Sequence, residues 1–405
     1  MTIPASTDAA EHVNGSTPAN SGTTRPTTAA AVAKRRTTGG GARWLEFDVH
    51  GWVRIAVDAN APTADQLGGM LAAFRVGPAD ERGPELADIV VTGTIEPVPG
   101  LSWAEGEIGY TDNVVLLPHA GVQLIRDGKR WLIQGPGELL TTVLPILDLV
   151  AVDKGLAMVH SATVEVDGIG VLMPAAGGTG KTSTIAKLMK LSTTAFMGDD
   201  WAFLSRAGEV YSYAKPMFIK PHHRPIYPHL FTGARKPLIP KTFSRSVGRF
   251  TTVVHPIFAK RPKLAAWSRK WSPEHRMVMP EQALAGKRIG THVPMRVSAY
   301  VERWDGDEVI VEERDRAWMI ARIIGNWHWE MARHSRDVLA ALGASGVVPL
   351  DEIFSRKAAV VKKSLAHSST MLVRVPEAMS ADQASDAIVE RLLAAVAEVP
   401  ELDPV

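Results

Sequence analysis

The chain has 405 residues, 45% of them hydrophobic and 22% charged, enough apolar material for two or three folded domains of roughly 100–200 residues each. Lys+Arg number 45 against 43 Asp+Glu, a net charge of +2, which argues against a uniformly basic nucleic-acid binder. Cysteine is absent, which excludes a disulfide scaffold, a thiol nucleophile, Cys-ligated zinc and an iron–sulfur cluster.

Residues 1–42 are rich in Ala, Thr, Ser and Gly, contain no Phe, Trp or Tyr, and close on Lys34, Arg35, Arg36 and three consecutive glycines from Gly39. Such a segment buries too little apolar surface to offset its ordering entropy, so a disordered tail is expected. It lacks the apolar h-region of a signal peptide, and no run of ~18 apolar residues follows anywhere in the chain. The expected compartment is the cytoplasm.

Residues 43–135 read as a mostly β module. The stretches 44–49 and 52–57 alternate apolar and polar residues around Gly51, a strand pair. A short helix is predicted over 64–74, then strands over 88–92, 106–110 and 114–117. Residues 121–126 and 130–134 flank Asp127 and Gly128, a hairpin signal. No catalytic constellation stands out in this module.

The second part, 136–405, opens on 139–159, the most apolar run of the chain, predicted as a largely buried helix even though it carries Asp148, Asp153 and Lys154. Strands over 160–166 and 170–173 turn at Asp167 and Gly168. A Gly-rich loop, a helix from Lys181 and a strand over 194–197 follow, the opening of an α/β nucleotide-binding core. From 215 to 288 the character changes: sixteen Lys and Arg stand against Glu274 and Glu281 alone. This reads as a long, weakly regular basic insertion or lid, about 215–290. Beyond it, a hairpin is predicted from 296–304 and 308–313 around Asp305 and Gly306. Helices are predicted over 317–333, 337–342 and 350–361, a strand over 371–375 and a closing amphipathic helix over 381–399.

The informative segment is Ala175, Ala176, Gly177, Gly178, Thr179, Gly180, Lys181 and Thr182. It fits the phosphate-loop pattern G-x-x-x-x-G-K-[ST] with Ala175 in place of the first glycine. Glycines let successive N–H groups point inward around phosphate oxygens, and the helix that starts at Lys181 adds its positive end. Lys181 would reach the β- and γ-phosphates of ATP, and the Thr182 hydroxyl would bind Mg²⁺. Gly177, Gly178, Thr179, Gly180 and Ser183 complete the nucleotide cradle. Asp199 and Asp200 leave the end of the next strand, where phosphoryl transfer needs one carboxylate for a metal and one for a hydroxyl nucleophile. An Asp pair in a turn or helix cap is the competing reading. His160, at the start of the strand before the loop, is a further candidate.

At these residues the chain resembles the HPr kinase/phosphorylase and phosphoenolpyruvate carboxykinase superfamily. The resemblance runs through Val159, His160 and Ser161, through the strand from Gly170 to the loop at Gly178 to Ser183, and through Gly198, Asp199 and Asp200, with a weaker likeness from Met371 to Pro376. It implies an α/β fold with a phosphate-loop core of that type spanning 136–405. It also implies Asp199 as the base that accepts the hydroxyl proton, Asp200 and Thr182 as Mg²⁺ ligands, His160 beside the site, and self-association into a homo-oligomer. The Gly-rich signature that follows the core in HPr kinases is not found, so the resemblance does not extend to HPr as substrate or to a reverse phosphorylase reaction.

For the basic segment, Lys215, Lys220 and Arg224 are the candidates for a clamp on an anionic substrate or on nucleotide phosphates. A solvated lid balancing an acidic body competes with that reading. Contact of 260–276, with Trp267 and Trp271, with a membrane surface or nucleic acid is less favoured. His222, His223 and His229 lack a diagnostic metal spacing. The expected function is therefore an ATP- and Mg²⁺-dependent kinase acting on a hydroxyl of a small molecule or of a peptide or protein serine. The alternative is a nucleotide-binding regulatory protein with little or no transferase activity.

Overall fold

The computed structural model describes residues 43–77, 80–104, 107–219, 223–231 and 276–400. The expected N-terminal tail and most of the basic segment, including Lys220, His222, Trp267 and Trp271, lie outside the described residues. The described residues form a mixed α/β structure of two large sheets, a two-stranded ribbon and eight α-helices.

The first sheet uses β1 (Trp44–Val49), β2 (Val53–Asp58), β3 (Ile89–Thr92), β4 (Ser102–Ala104), β5 (Ile108–Tyr110), β6 (Val114–Leu117), β7 (Val122–Asp127) and β8 (Arg130–Gln134). Their order is β1-β2-β3-β8-β7-β6-β5-β4. The two predicted antiparallel pairs, β1–β2 and β7–β8, are present, with Gly128 at φ 61 in the second turn. The helix predicted over 64–74 is shorter: α1 (Ala64–Met70) gives way to a 3₁₀ turn at Ala72–Phe74.

The helix predicted over 139–159 is corrected. α2 (Leu139–Asp153) stops before Gly155, whose φ of 93 favours glycine, and Leu156 already belongs to β9 (Leu156–Val166). All eleven residues of β9 are buried. A strand buried on both faces has no alternation, so its first residues extend the apolar run of the helix without a break. The joint is held by Asp148, whose carboxylate accepts from Met158 N–H and from the wholly buried Lys357 ammonium at 2.6 Å.

The second sheet follows with β10 (Ile169–Pro174), β11 (Thr194–Gly198), β12 (Trp201–Ser205) and β13 (Glu209–Ser212), all after α3 (Lys181–Leu188) except β10. A ribbon of β14 (Met217–Ile219) and β15 (Arg276–Val278), with a 3₁₀ turn at Pro228–Phe231 and α4 (Pro280–Ala283), is what the described residues include of the basic segment. The sheet resumes with β16 (His292–Trp304), β17 (Ile310–Glu313) and β18 (Ser369–Pro376) in the order β10-β9-β12-β13-β16-β18-β17, while β11 pairs with β9 and β10 also pairs with β16.

The predicted hairpin around Asp305 and Gly306 is not formed: β18 lies between β16 and β17, parallel to the first and antiparallel to the second. Ion pairs tie the three strands together. Arg374 on β18 binds Glu302 at 2.9 Å on one side and Glu312 at 3.1 Å on the other.

Helices cover both faces of this sheet. α3 and α8 (Ala381–Ala397) pack through Ile185, Leu188, Ile388 and Leu392 on one side. On the other side α5 (Arg316–Glu330) and α7 (Leu350–Ser364) pack through Met319, Ile323, Val360 and Val361. α6 (Arg333–Ala344) starts four residues before the predicted 337. A separate core joins Phe47, Ile55, Val91 and Leu124 of the first sheet to Leu147, Leu342 and Ile353, so the two sheets share α2, α6 and α7 as a common layer. Among the described residues no helix is long and apolar enough to cross a membrane.

Candidate active site

The loop 175–180 leaves the carboxyl end of β10, which runs parallel to β16, and enters α3. Gly178 and Gly180 have φ of 85 and 108, conformations a side chain would strain. Ala175, which replaces the first glycine of the pattern, is fully buried in the α3–α8 core and bridges to Val301, so its methyl group is absorbed by packing. Gly177 and Gly178 are exposed. Thr179 is buried, its hydroxyl donating to Ala176 O at 3.0 Å. Thr182 and Ser183 are half-buried in the first turn of α3. The Lys181 ammonium donates to Ala175 O at 2.5 Å and Ala176 O at 2.9 Å. Burial lowers its pKa, with Glu330, Asp200 and Asp199 pulling the other way.

Asp199 and Asp200 sit at the joint between β11 and β12. Both strands use the same edge of β9, β11 against Thr163 to Val166 and β12 against Leu156 to His160, and the ladder is interrupted between Phe196 and Gly198. Gly198 is required there, because a Cβ would lie 2.4 Å from Trp201 O. Ser161 N–H donates to Asp200 O at 2.9 Å and fixes the pair beside β9.

The two carboxyls differ. Asp199 is 7% exposed, and its Oδ1 has no hydrogen-bond partner. Burial, then the neighbouring Asp200 charge, push its pKa up to about 7 against the pull of Lys215 and Lys181. Burial acts on Asp200 in the same direction, but the Lys215 ammonium, 2.7 Å from Oδ2, outweighs it, and the carboxyl is held below its ordinary range.

His160 is buried and packs edge-on against Trp201 with ring centroids 5.0 Å apart. Asn326 of α5 donates to His160 O at 2.9 Å and lies 3.2 Å from Nδ1. Burial, helped by the Lys181 charge, lowers the imidazole to about 4, so it is neutral at physiological pH. With Nδ1 facing the amide donor, the ring proton belongs on Nε2.

Of the three clamp candidates, Lys215 joins the Asp pair and Lys220 lies outside the described residues. Arg224 is exposed, its guanidinium 5.9 Å from the Phe231 ring.

Three further residues belong to the site. Glu330 Oε1 accepts the Gly177 N–H at 2.9 Å, Asn326 holds His160, and Tyr227 is a buried phenol with an unpartnered hydroxyl whose ionisation is opposed by burial and by the Asp199 charge. Glu330 and Asn326 follow the loop by about 150 residues and sit on a helix whose pattern is only amphipathic. Tyr227 lies in the Pro- and His-rich stretch that has no periodicity. None of the three carries a signal in sequence.

Among the described residues no cluster of three or more His, Asp or Glu is arranged to hold a metal ion by itself. A Mg²⁺ site of the phosphate-loop kind uses one or two protein oxygens plus phosphate and water, and the Thr182 hydroxyl and the Asp200 carboxylate are oxygens of that kind. Comparison with protein-family models and with curated proteins finds no match to this chain.

Proposed function

We propose that the protein is an ATP- and Mg²⁺-dependent phosphotransferase that moves the γ-phosphoryl group to a hydroxyl acceptor, built on a phosphate-loop core of HPr kinase/carboxykinase type. The observation that carries this reading is the placement of Asp199. A buried carboxyl with one free oxygen and a pKa near 7 stands beside Asp200, in the field of the phosphate-loop lysine. A structural carboxylate has no need of an unsatisfied oxygen; a general base working near neutrality does.

In this reading the loop amides and Lys181 bind the phosphates and neutralise charge that develops on transfer. Asp199 accepts the acceptor's hydroxyl proton. Thr182 and Asp200 would hold Mg²⁺, which would supply positive charge against the phosphates. Lys215 keeps Asp200 ionised, and neutral His160 adds no further positive charge beside Lys181. The acceptor is a small molecule or a peptide or protein serine, and the reaction belongs in the ATP-supplied cytoplasm.

One observation favours the alternative, a nucleotide-binding regulatory protein. The loop is satisfied by the chain itself, with Lys181 on backbone carbonyls and Gly177 on Glu330. Equilibrium binding of MgATP to the wild type and to Lys181→Ala, followed by transfer of γ-label to a metabolite and peptide mixture, separates the readings. Binding lost in the variant together with label transfer supports the kinase. Binding without any transfer supports the regulator, and no binding removes both.

A further inference from the structure

Glu330 is the last residue of α5, and it reaches the phosphate loop on a defined lever. One turn earlier Asn326 ties the helix to His160 O. Immediately after Glu330, Met331 (φ −61, ψ 144) and Ala332 (φ −54, ψ 146) are extended and separate α5 from α6. The carboxylate thus sits at a joint between two helices, 2.9 Å from the N–H of an exposed glycine whose surroundings are open. Across the loop, Lys181 is folded onto the carbonyls of Ala175 and Ala176.

A phosphate loop recognises anions with inward N–H groups and a lysine. Here a carboxylate of the protein already takes one N–H of the loop, that of Gly177, and contributes to holding the lysine's charge. Two anions cannot share one N–H without repulsion, even at a loop open to water. We infer that Glu330 is an internal ligand of the phosphate loop that a nucleotide phosphate must displace. Occupancy of the loop is then coupled to release of the α5 C-terminus. This rests on the nucleotide reading above. Coupling is reciprocal: a partner that draws the α5–α6 joint away from the loop tightens nucleotide binding, and nucleotide frees the joint.

The test is calorimetric titration of the full chain with MgATP, comparing wild type with Glu330→Gln. Glutamine keeps the length and the acceptor carbonyl but removes the charge. The contact to be given up is then neutral rather than charge-assisted, so the glutamine variant should bind MgATP more tightly, by about three- to tenfold at this solvent-exposed loop. Glu330→Asp, which withdraws the carboxylate by one methylene, should tighten binding by a smaller factor, and it serves as the readout if the glutamine variant does not fold. Wild-type binding with unchanged affinity in the variants overturns the inference alone. Weaker binding in them also overturns it and makes Glu330 a nucleotide or metal contact. Absence of binding to all three folded proteins removes the nucleotide reading itself, and the inference with it.

Discussion

The Lys215 ammonium lies 2.7 Å from Asp200 Oδ2 while its own side chain is only 4% exposed. A lysine so far removed from water must be paired, and the partner it has is the carboxylate next to the proposed base. Lys215→Met is therefore expected to raise the pKa of both aspartates. It should also lower stability by about 1–3 kcal/mol, less than for a fully buried pair because Asp200 remains partly open to water. Urea unfolding checks the second effect. A variant as stable as wild type would mean that the pair contributes nothing.

Asp199 has a pH signature of definite sign. Its folded pKa is raised from 3.8 to about 7, so the stability held by its protonated form is fully present below about pH 4 and is lost as pH rises toward 7. Asp199→Asn removes that loss. The variant should match wild type in melting temperature near pH 4, exceed it increasingly up to pH 7, and keep a constant advantage above. A constant difference across the range would show that the carboxyl is not perturbed.

Magnesium should bind only with nucleotide. Asp200 is engaged by Lys215, and no self-sufficient cluster of ligands exists among the described residues. Calorimetric titration with Mg²⁺ alone should give no heat of binding at millimolar ion, and with ATP present it should saturate. Ion binding to the free protein would contradict the assignment of Thr182 and Asp200 as a shared, phosphate-completed site.

Tyr227 buries a hydroxyl that finds no partner. An unsatisfied buried hydroxyl costs about 1–3 kcal/mol, so Tyr227→Phe should leave the free protein as stable or more stable. If the phenol instead meets the acceptor near Asp199, the same change should raise the acceptor KM with little effect on ATP affinity. Loss of stability without a KM change would make Tyr227 structural.

The loop is legible as a candidate in the sequence because its pattern is local. Gly178 and Gly180 are where backbone conformation demands glycine, and Lys181 and Thr182 open the helix that follows. Asp199 and Asp200 stand out as candidates for the same reason, since a glycine kink and two acids after an apolar strand are contiguous. β12 is not legible, because Trp201 to Leu204 is buried throughout and shows no alternation, and β13 alternates over only four residues, too few to stand out. The hairpin at Asp305 is misjudged because the strand that separates its arms, β18, comes more than sixty residues later. The helix predicted to 159 failed where a buried helix ran into a buried strand. Glu330, Asn326 and Tyr227 were invisible because what matters about each is where it lies relative to a distant loop.

Asp199 is the proposed base in phosphoryl transfer to a hydroxyl. Incubating the purified protein with γ-labelled ATP, Mg²⁺ and a mixture of hydroxyl-bearing metabolites and serine peptides, in parallel with Asp199→Asn, tests it most directly. The expected result is label in an acceptor with wild type at a rate that rises with pH through about 7, and loss of transfer by two orders of magnitude or more in the variant, with MgATP binding retained. Transfer by Asp199→Asn at the wild-type rate would contradict the account.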